Sequence, residues 1–381
     1  MEDAGAAGPW YGNYDDVAAA EVPGYRRKPI FENGYFRAEY LNWTISRPGD
    51  VLLGSPVLGN PDPSQPFIVN DLGGSPLGTA TVPTTIPFAL NNQNGFRATI
   101  GADFIYGGSF ELSAFVLAPA KSSFSYDPNQ LMFNTAGGGN SLSPIPTTQF
   151  IGTSTFVNGQ LANNVQLYNY SYKADYYAQL WGAEANYLFE SNNPGGILQI
   201  RPLVGFRYVS LNNQMTQNGV FRDTTFATPV DTNTNINSVT YNNLYGPQVG
   251  LKTELVSKWV TLGFMPKIGL AGNTMLASVS TDQFRSPFDP PTYHEQKFTG
   301  VSPMIDLSTY LTIHATDRLS FRIGYNFLFL GRVTLPEDNI YYNDRGPYLP
   351  PVSFIPPDVT VSATRHDYRI YGLTCGGELK F

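Results

Sequence analysis

The feature that most constrains this chain is its end. Residues Asp367 to Phe381 alternate in character up to the last position, with Leu379 and Phe381 on one face and Glu378 and Lys380 on the other. Alternation with period two marks a strand whose two faces meet different surroundings. A strand that runs to a terminal aromatic suits a closed barrel, in which the last strand pairs with the first and no edge remains. Leu379 and Phe381 are then expected to act as the C-terminal insertion signal read by barrel-insertion machinery, as in a bacterial outer-membrane barrel.

Composition bears on this expectation. Charged residues make up only 14% of the chain, against roughly 25% in ordinary soluble domains. Aromatics reach 14%, and 37 Gly and 30 Pro argue against a helical protein. No apolar run reaches the roughly 18 residues a membrane helix needs. Mean hydropathy is -0.19, which suits a barrel because half of each strand faces a polar interior. The net charge of -7 and the lack of a basic patch exclude a nucleic-acid partner. The one cysteine, Cys375, has no disulfide partner in the chain and reads as a small apolar residue of the terminal strand. The opening Met1-Glu2-Asp3 carries no basic or apolar leader. Since a barrel must cross the inner membrane, the expectation is that a signal peptide was removed and a start Met supplied.

Ten segments alternate. They are Tyr35–Thr44, Gly95–Tyr106, Ser109–Leu117, Ala174–Phe189, Ile197–Ser210, Asn243–Val256, Trp259–Gly272, Pro303–Ala315, Leu319–Leu330 and Asp367–Phe381. Nearly all reach the roughly 9–11 residues that cross a bilayer obliquely. Their connections alternate short and long. Gly107-Gly108, Glu190–Gly196, Ser257-Lys258 and Thr316–Arg318 are short. Ile45–Asn94, Ala118–Lys173, Leu211–Asn242, Asn273–Ser302 and Gly331–His366 read as long loops. Tight periplasmic turns and large external loops are the asymmetry of outer-membrane barrels, and a soluble sandwich has no need of it. The fold class expected is therefore all-β, a closed antiparallel transmembrane β-barrel of about ten strands with both termini periplasmic. Gln149–Tyr172, with its Asn158-Gly159 turn, offers a further hairpin and hence twelve strands. The preferred reading makes it an external extension of strands three and four. Residues 1–33 are broken by Pro9, Gly12, Pro23, Gly24 and Pro29 and read as an irregular periplasmic arm, with a plug as the alternative. The barrel then spans 34–381.

Inward parity selects the candidate functional residues. The cations are Arg37, Arg97, Arg201, Arg207, Lys252, Lys267, Arg322 and Lys380; the acids are Glu39, Asp103, Glu111, Glu184, Glu254, Asp306 and Glu378. A ten-stranded lumen is narrow, since open porins need roughly 16–18 strands. Near-equal charges in such a tube are expected to pair across it and fill it. Trp43, Trp259, Tyr106 and Tyr208 read as interfacial girdle aromatics.

Several strands carry more than alternation. Val204-Gly205-Phe206-Arg207-Tyr208, then Asn243-Leu244-Tyr245-Gly246-Pro247-Gln248-Val249-Gly250, and Gly324-Tyr325-Asn326-Phe327-Leu328-Phe329 resemble the motifs of the seventh putative beta-barrel porin family. Phe36-Arg37-Ala38-Glu39-Tyr40 and Trp181-Gly182-Ala183-Glu184 fit its earlier strands. The resemblance runs from about Phe36 to Phe381. It implies a bacterial outer-membrane barrel and no catalytic residues. The chain departs from the family after strand nine, where Arg332-Val333-Thr334-Leu335-Pro336 replaces an Arg-Pro-Gly stretch.

Catalytic signals are weak. His294, His314 and His366 have no metal-ligand spacing, and no His-Glu-x-x-His occurs. His314 is expected to face the lumen as a hydrogen-bonded interior histidine. A hydrolase would need His294 with Asp289, Asp282 and Glu295, or His366 with Asp367 and Asp358, gathered at the external rim. Gly137-Gly138-Gly139 lacks the Lys-Ser/Thr of a phosphate loop and reads as loop. The expectation is a non-enzyme without cofactor or metal. It lies in outer-membrane lipid, alone or self-associated, with loop ligands unspecified. Its function is expected to be a narrow channel for small solutes; the alternative is a closed barrel acting as envelope scaffold or surface-binding protein.

Overall fold

A computed structural model describes residues 31–60, 62, 65–70, 73–104, 107–127, 149–223, 227–344 and 359–381. The barrel strands are β1 (Phe31–Ile45), β2 (Gln93–Phe104), β3 (Ser109–Leu117, resumed as Ala120–Tyr126), β4 (Ser171–Leu188) and β5 (Leu198–Asp223). They continue as β6 (Val230–Val256), β7 (Val260–Asp282), β8 (Thr292–His314), β9 (Leu319–Val333) and β10 (His366–Lys380). The main sheet counts 11 segments. Two of these are the pieces of β3, which pair in succession along β4 on either side of Pro119, a residue with no N–H for the ladder. The wall thus has ten strands among the described residues. Each pairs antiparallel with its neighbour, and β10 closes onto β1 from Tyr35↔Lys380 to Ile45↔Ile370. The final residue shares in the closure, since Phe381 and Gly34 exchange two backbone hydrogen bonds of 2.9 and 3.0 Å.

The parity expected from sequence is the parity found. Phe36, Tyr40, Phe96, Ile100, Phe110, Leu112, Val204, Phe206, Ile268 and Phe321 stand exposed on the outer face. Arg37, Glu39, Thr99, Glu111, Ser113, Arg207 and Lys267 are buried on the inner one. Cys375 is exposed, opposite Tyr40 and Ile323 on the outer face. Trp259 is exposed, in the short turn before β7. Trp43 is not a girdle residue. It shares the odd parity of Arg37 and Glu39, is only 2% exposed, and packs inside against Phe115 with ring centroids 5.5 Å apart. Tyr106 lies outside the described residues.

Two expected loops prove to be mostly strand. β5 and β6 pair without interruption from Leu198↔Leu255 to Asp223↔Val230, so most of Leu211–Asn242 is a hairpin arm. β7 and β8 likewise pair from Val260↔Ile313 to Thr281↔Thr292, taking up most of Asn273–Ser302. The arms of 23 to 27 residues are more than twice the roughly 9–11 that a bilayer requires, so they project beyond it. Their outer faces turn polar there. Asn235 and Gln214 form an amide ladder with Asn218 and Asn237, at 2.7 and 2.8 Å.

Gln149–Val157 and Gln160–Tyr168 form their own hairpin through Asn158 and Gly159, both at positive φ, as an Asn-Gly turn favours. They do not extend β3 and β4 as expected, nor do they enter the wall as strands eleven and twelve. Instead they join Phe67–Asn70, Pro76–Thr81 and Asn343–Asp344 in a separate five-stranded sheet. Of the expected N-terminal arm, Phe31–Asn33 belong to β1; the rest, and the question of a plug, lie outside the described residues.

Candidate functional site: the lumen and its loop-end fill

The charged residues selected by parity do converge inside the barrel. Lys267 Nζ on β7 lies 2.7 Å from Glu184 Oε1 on β4 and 3.2 Å from Asp306 Oδ2 on β8. Arg207 on β5 bonds both of the same carboxylates, its Nε donating to Glu184 over 3.0 Å. Gln248 on β6 donates to Glu184 over 2.9 Å and to Asn186 over 2.6 Å. Towards the short-turn end, Glu39 gathers Arg37, Arg97 and Arg322 at 3.6 to 3.7 Å, and Arg37 reaches Glu378 at 3.2 Å. Lys252 on β6 meets Glu111 on β3 at 3.5 Å and Glu254 at 3.6 Å. Twelve of the fifteen expected residues are therefore ion-paired: Arg37, Glu39, Arg97, Glu111, Glu184, Arg207, Lys252, Glu254, Lys267, Asp306, Arg322 and Glu378. Many pairs join strands that are not neighbours, so they span the lumen. Taking such charges from water is costly, and mutual pairing is what offsets it.

The other three, Asp103, Arg201 and Lys380, line a cavity of about 290 Å³ at the short-turn mouth. His314 stands there too, held by Thr261 through Nε2 and Ser320 through Nδ1, both at 2.9 Å, as an interior histidine was expected to be. Two tyrosines complete this layer. Tyr310 donates to Glu254 over 2.8 Å and carries Arg322 over its ring at 3.3 Å; Tyr35 donates to Glu111. Each ring lies where a glycine on the next strand leaves room. A Cβ at Gly263 would come 2.1 Å from the Tyr310 ring, and one at Gly101 would come 2.3 Å from that of Tyr35.

Above the charges, the inward positions turn apolar. Strand β1 passes from Glu39 to Leu41, Trp43 and Ile45; β4 from Glu184 to Leu180, Ala178 and Tyr176. β5 passes from Arg207 to Val209 and Leu211, and β9 from Asn326 to Leu328 and Leu330. These side chains form one buried cluster with residues folded in from the long connections, namely Leu53, Phe88 and Leu90 from the first and Leu335, Ile340, Tyr342 and Val359 from the last. The loop-end half of the lumen thus holds a packed apolar cluster beside buried amides and hydroxyls such as Asn213, Gln217, Ser238 and Asn242, and the apolar cluster is what the sequence reading, built on a polar interior, did not foresee.

The stretch 334–339 is the central piece of this fill. Asn242 on β6 grips it twice at 2.8 Å, donating to the Thr334 carbonyl and accepting from the Thr334 amide. Ser238 donates to the Pro336 carbonyl over 2.8 Å. Glu337, in the 3-10 turn Glu337–Asn339, is buried and accepts from the Tyr176 hydroxyl over 3.1 Å. Burial, with Asp338 adjacent, pushes its carboxyl up to about 8. This group belongs to the connection between β9 and β10, outside the ten wall strands. Some of the acids and histidines that a hydrolase would need are held by other residues. Asp289 is taken up by Arg285 at 3.7 Å and by two turn amides, while His294 lies within β8 opposite Val279. His366 pairs with Asp338 at 3.4 Å, and Asp358 lies outside the described residues.

A ring of ten strands, apolar outside and filled with paired charges and packed side chains inside, defines a transmembrane β-barrel protein. The chain belongs to the putative beta barrel porin-7 family, whose model matches residues 35–381. No curated protein matches it. Among solved structures, the outer membrane protease OmpT of Escherichia coli is similar at 8% identity and a TM-score of 0.47, over 93% of this chain and 99% of that one. A deletion mutant of the TodX monoaromatic hydrocarbon channel aligns at 9% identity over 92% and 91% of the two chains, with a TM-score of 0.18. OmpT of Vibrio cholerae aligns at 6% identity over 93% and 99%, with a TM-score of 0.14.

Proposed function

We propose that this protein is a closed barrel of the bacterial outer membrane that acts through its loop-end crown, as an envelope scaffold or surface-binding element. Its termini then face the periplasm, its outer belt meets lipid, and Leu379 with Phe381 serves the insertion machinery. The observation that carries this reading is the apolar packing across the lumen between the wall and the infolded connections. Water and ions cross such a core poorly because apolar surface gives them no hydrogen bonds. Planar-bilayer recording of the folded protein tests it. The expected result is silence at moderate voltage, and regular conductance steps would overturn it.

A second reading, a narrow channel for small solutes, draws on the charged lower lumen and its cavity of about 290 Å³. It requires the stretch 334–339 to leave the lumen. Solute-loaded liposomes would reveal it as swelling or leakage specific to one class of solute.

A further inference from the structure

The cavity of about 290 Å³ at the short-turn mouth lies at the opposite end of the barrel from the loop-end fill. Five Arg and Lys side chains and four carboxylates line it, and their pairing is uneven. Glu111 and Glu254 are both taken by Lys252, at 3.5 and 3.6 Å, and they accept from Tyr35 and Tyr310 respectively. Glu378 is taken by Arg37 at 3.2 Å. Arg322 turns to Glu39, away from the cavity lining, at 3.7 Å. Arg201, Lys380 and Asp103 are left without an ion pair among the described residues.

The surroundings of Arg201 are not those of a cation that braces the wall. It stands on β5 directly opposite Lys252 of β6, and like charges in opposed positions repel. Lys252 has two carboxylates to offset its charge; Arg201 has none among the described residues. Its Nε is buried without an acceptor. Its two Nη atoms bond no other described residue either, and they keep accessible surface in the cavity. A half-buried guanidinium is costly unless an anion and acceptors replace the water it gives up. Among the lumen cations only Lys380, exposed near the end of the chain, shares this lack of a described partner. Asp103 does not supply it. Asp103 is on β2, and β3 and β4 separate that strand from β5 in the wall. The outer nitrogens of an arginine form a planar fork that matches two oxygens of a carboxylate or a phosphate.

We propose that this cavity binds a small oxyanion, through a carboxylate or phosphate group, on the Nη fork of Arg201, with Lys380 as the second cation. The site goes beyond the surface-binding reading, since it lies at the other end of the tube. A conducting barrel would overturn that reading and leave this site standing, whereas failure of the binding test below would remove the site and leave the closed barrel.

The test is isothermal titration calorimetry at neutral pH on the full chain folded in an uncharged detergent, with sodium chloride holding the ionic strength constant. Sodium acetate and sodium phosphate are the anionic probes and separate a carboxylate from a phosphate; calcium chloride is the cationic arm. Saturable binding of at least one oxyanion is expected. Arg201→Gln should weaken it at least about tenfold, the loss of one charge-assisted bond. Arg201→Lys keeps the charge without the fork and should recover part of the affinity. Urea unfolding separates binding from bracing: Arg201→Gln breaks no ion pair and should leave the midpoint unchanged or raise it, while a lower midpoint with unchanged affinity would assign Arg201 to the wall alone. Should Arg201→Gln fail to fold, Lys380→Gln serves instead, with a loss of several-fold expected. No saturable heat from either oxyanion, unchanged affinity in the folded variant, or saturation by calcium alone would each overturn the proposal.

Discussion

Lys267 shows what a single side chain does inside this barrel. Its ammonium, 3% exposed, lies between Glu184 and Asp306, and Arg207 supplies the only other cation paired to those two carboxylates among the described residues. Removing Lys267 leaves two buried acids to share one guanidinium. Lys267→Met is expected to destabilise the folded barrel by about 3–5 kcal/mol, the cost of breaking a buried pair from one side. Urea unfolding in lipid vesicles, followed by tryptophan fluorescence, measures it. The double variant Lys267→Met with Glu184→Gln should recover a large part of the loss, since the uncompensated charge goes with its partner. A double variant no more stable than the single one would show that geometry, not charge balance, is what this layer requires.

The wall strands and the segment that fills them set the next scale. The ten crossings were legible because residues such as Phe206 and Tyr208 outside and Arg207 inside differ sharply in polarity. The arms beyond them were not. At Asn213, Gln217, Thr234, Ser238 and Asn242 the inner face is polar, and so is the outer face at Asn218, Asn235 and Asn237, leaving no period to detect. The upper lumen hid for another reason: Leu41, Trp43 and Ile45 point inward while the outward positions between them are Asn42 and Thr44, so β1 inverts its polarity there and a polar lumen is the wrong template. The stretch 334–339 gave no signal because its hold depends on Asn242 and Tyr176, far away in sequence. Its docking should respond to pH. Glu337 is pushed up to about 8 from an ordinary 4.5, facing Tyr176 from β4, Asp338 beside it, and Tyr368 from β10. Docked, it keeps a proton through a window in which the undocked segment has lost it. Docking is therefore expected to weaken as pH rises from about 4.5 to about 8 and to level off above. Hydrogen exchange of the segment 334–344, corrected for intrinsic rate, reads this directly. Glu337→Gln should flatten the profile, and an equal slope in that variant would place the titration elsewhere.

For the molecule as a whole, the question is which layer closes the tube. A ring of ten strands leaves a bore that side chains can nearly fill, as about eight strands leave one just filled. Here three layers do so in series: the paired charges around Glu184 and Glu39, the wall residues Leu41, Leu180, Val209, Leu244 and Leu328, and the infolded connections. Deleting 334–339 removes only part of the last. The leucines of the wall remain, and their inward faces stay against one another and against Phe88 and Leu90 of the first connection. The deletion variant is thus expected to stay silent in planar bilayers, while adding Leu180→Ser, Leu244→Ser and Leu328→Ser should bring small, steady conductance by letting water reach the charged layer. Burial of those three side chains also stabilises the barrel, by roughly 1.5–3 kcal/mol each, so the combined variant should unfold at lower urea even where it inserts. Steps from the deletion alone would assign the closure to the segment rather than the wall. The barrel would then be a gated pore whose resting state has its connection tucked inside, and the charged layer beneath would become its selectivity element.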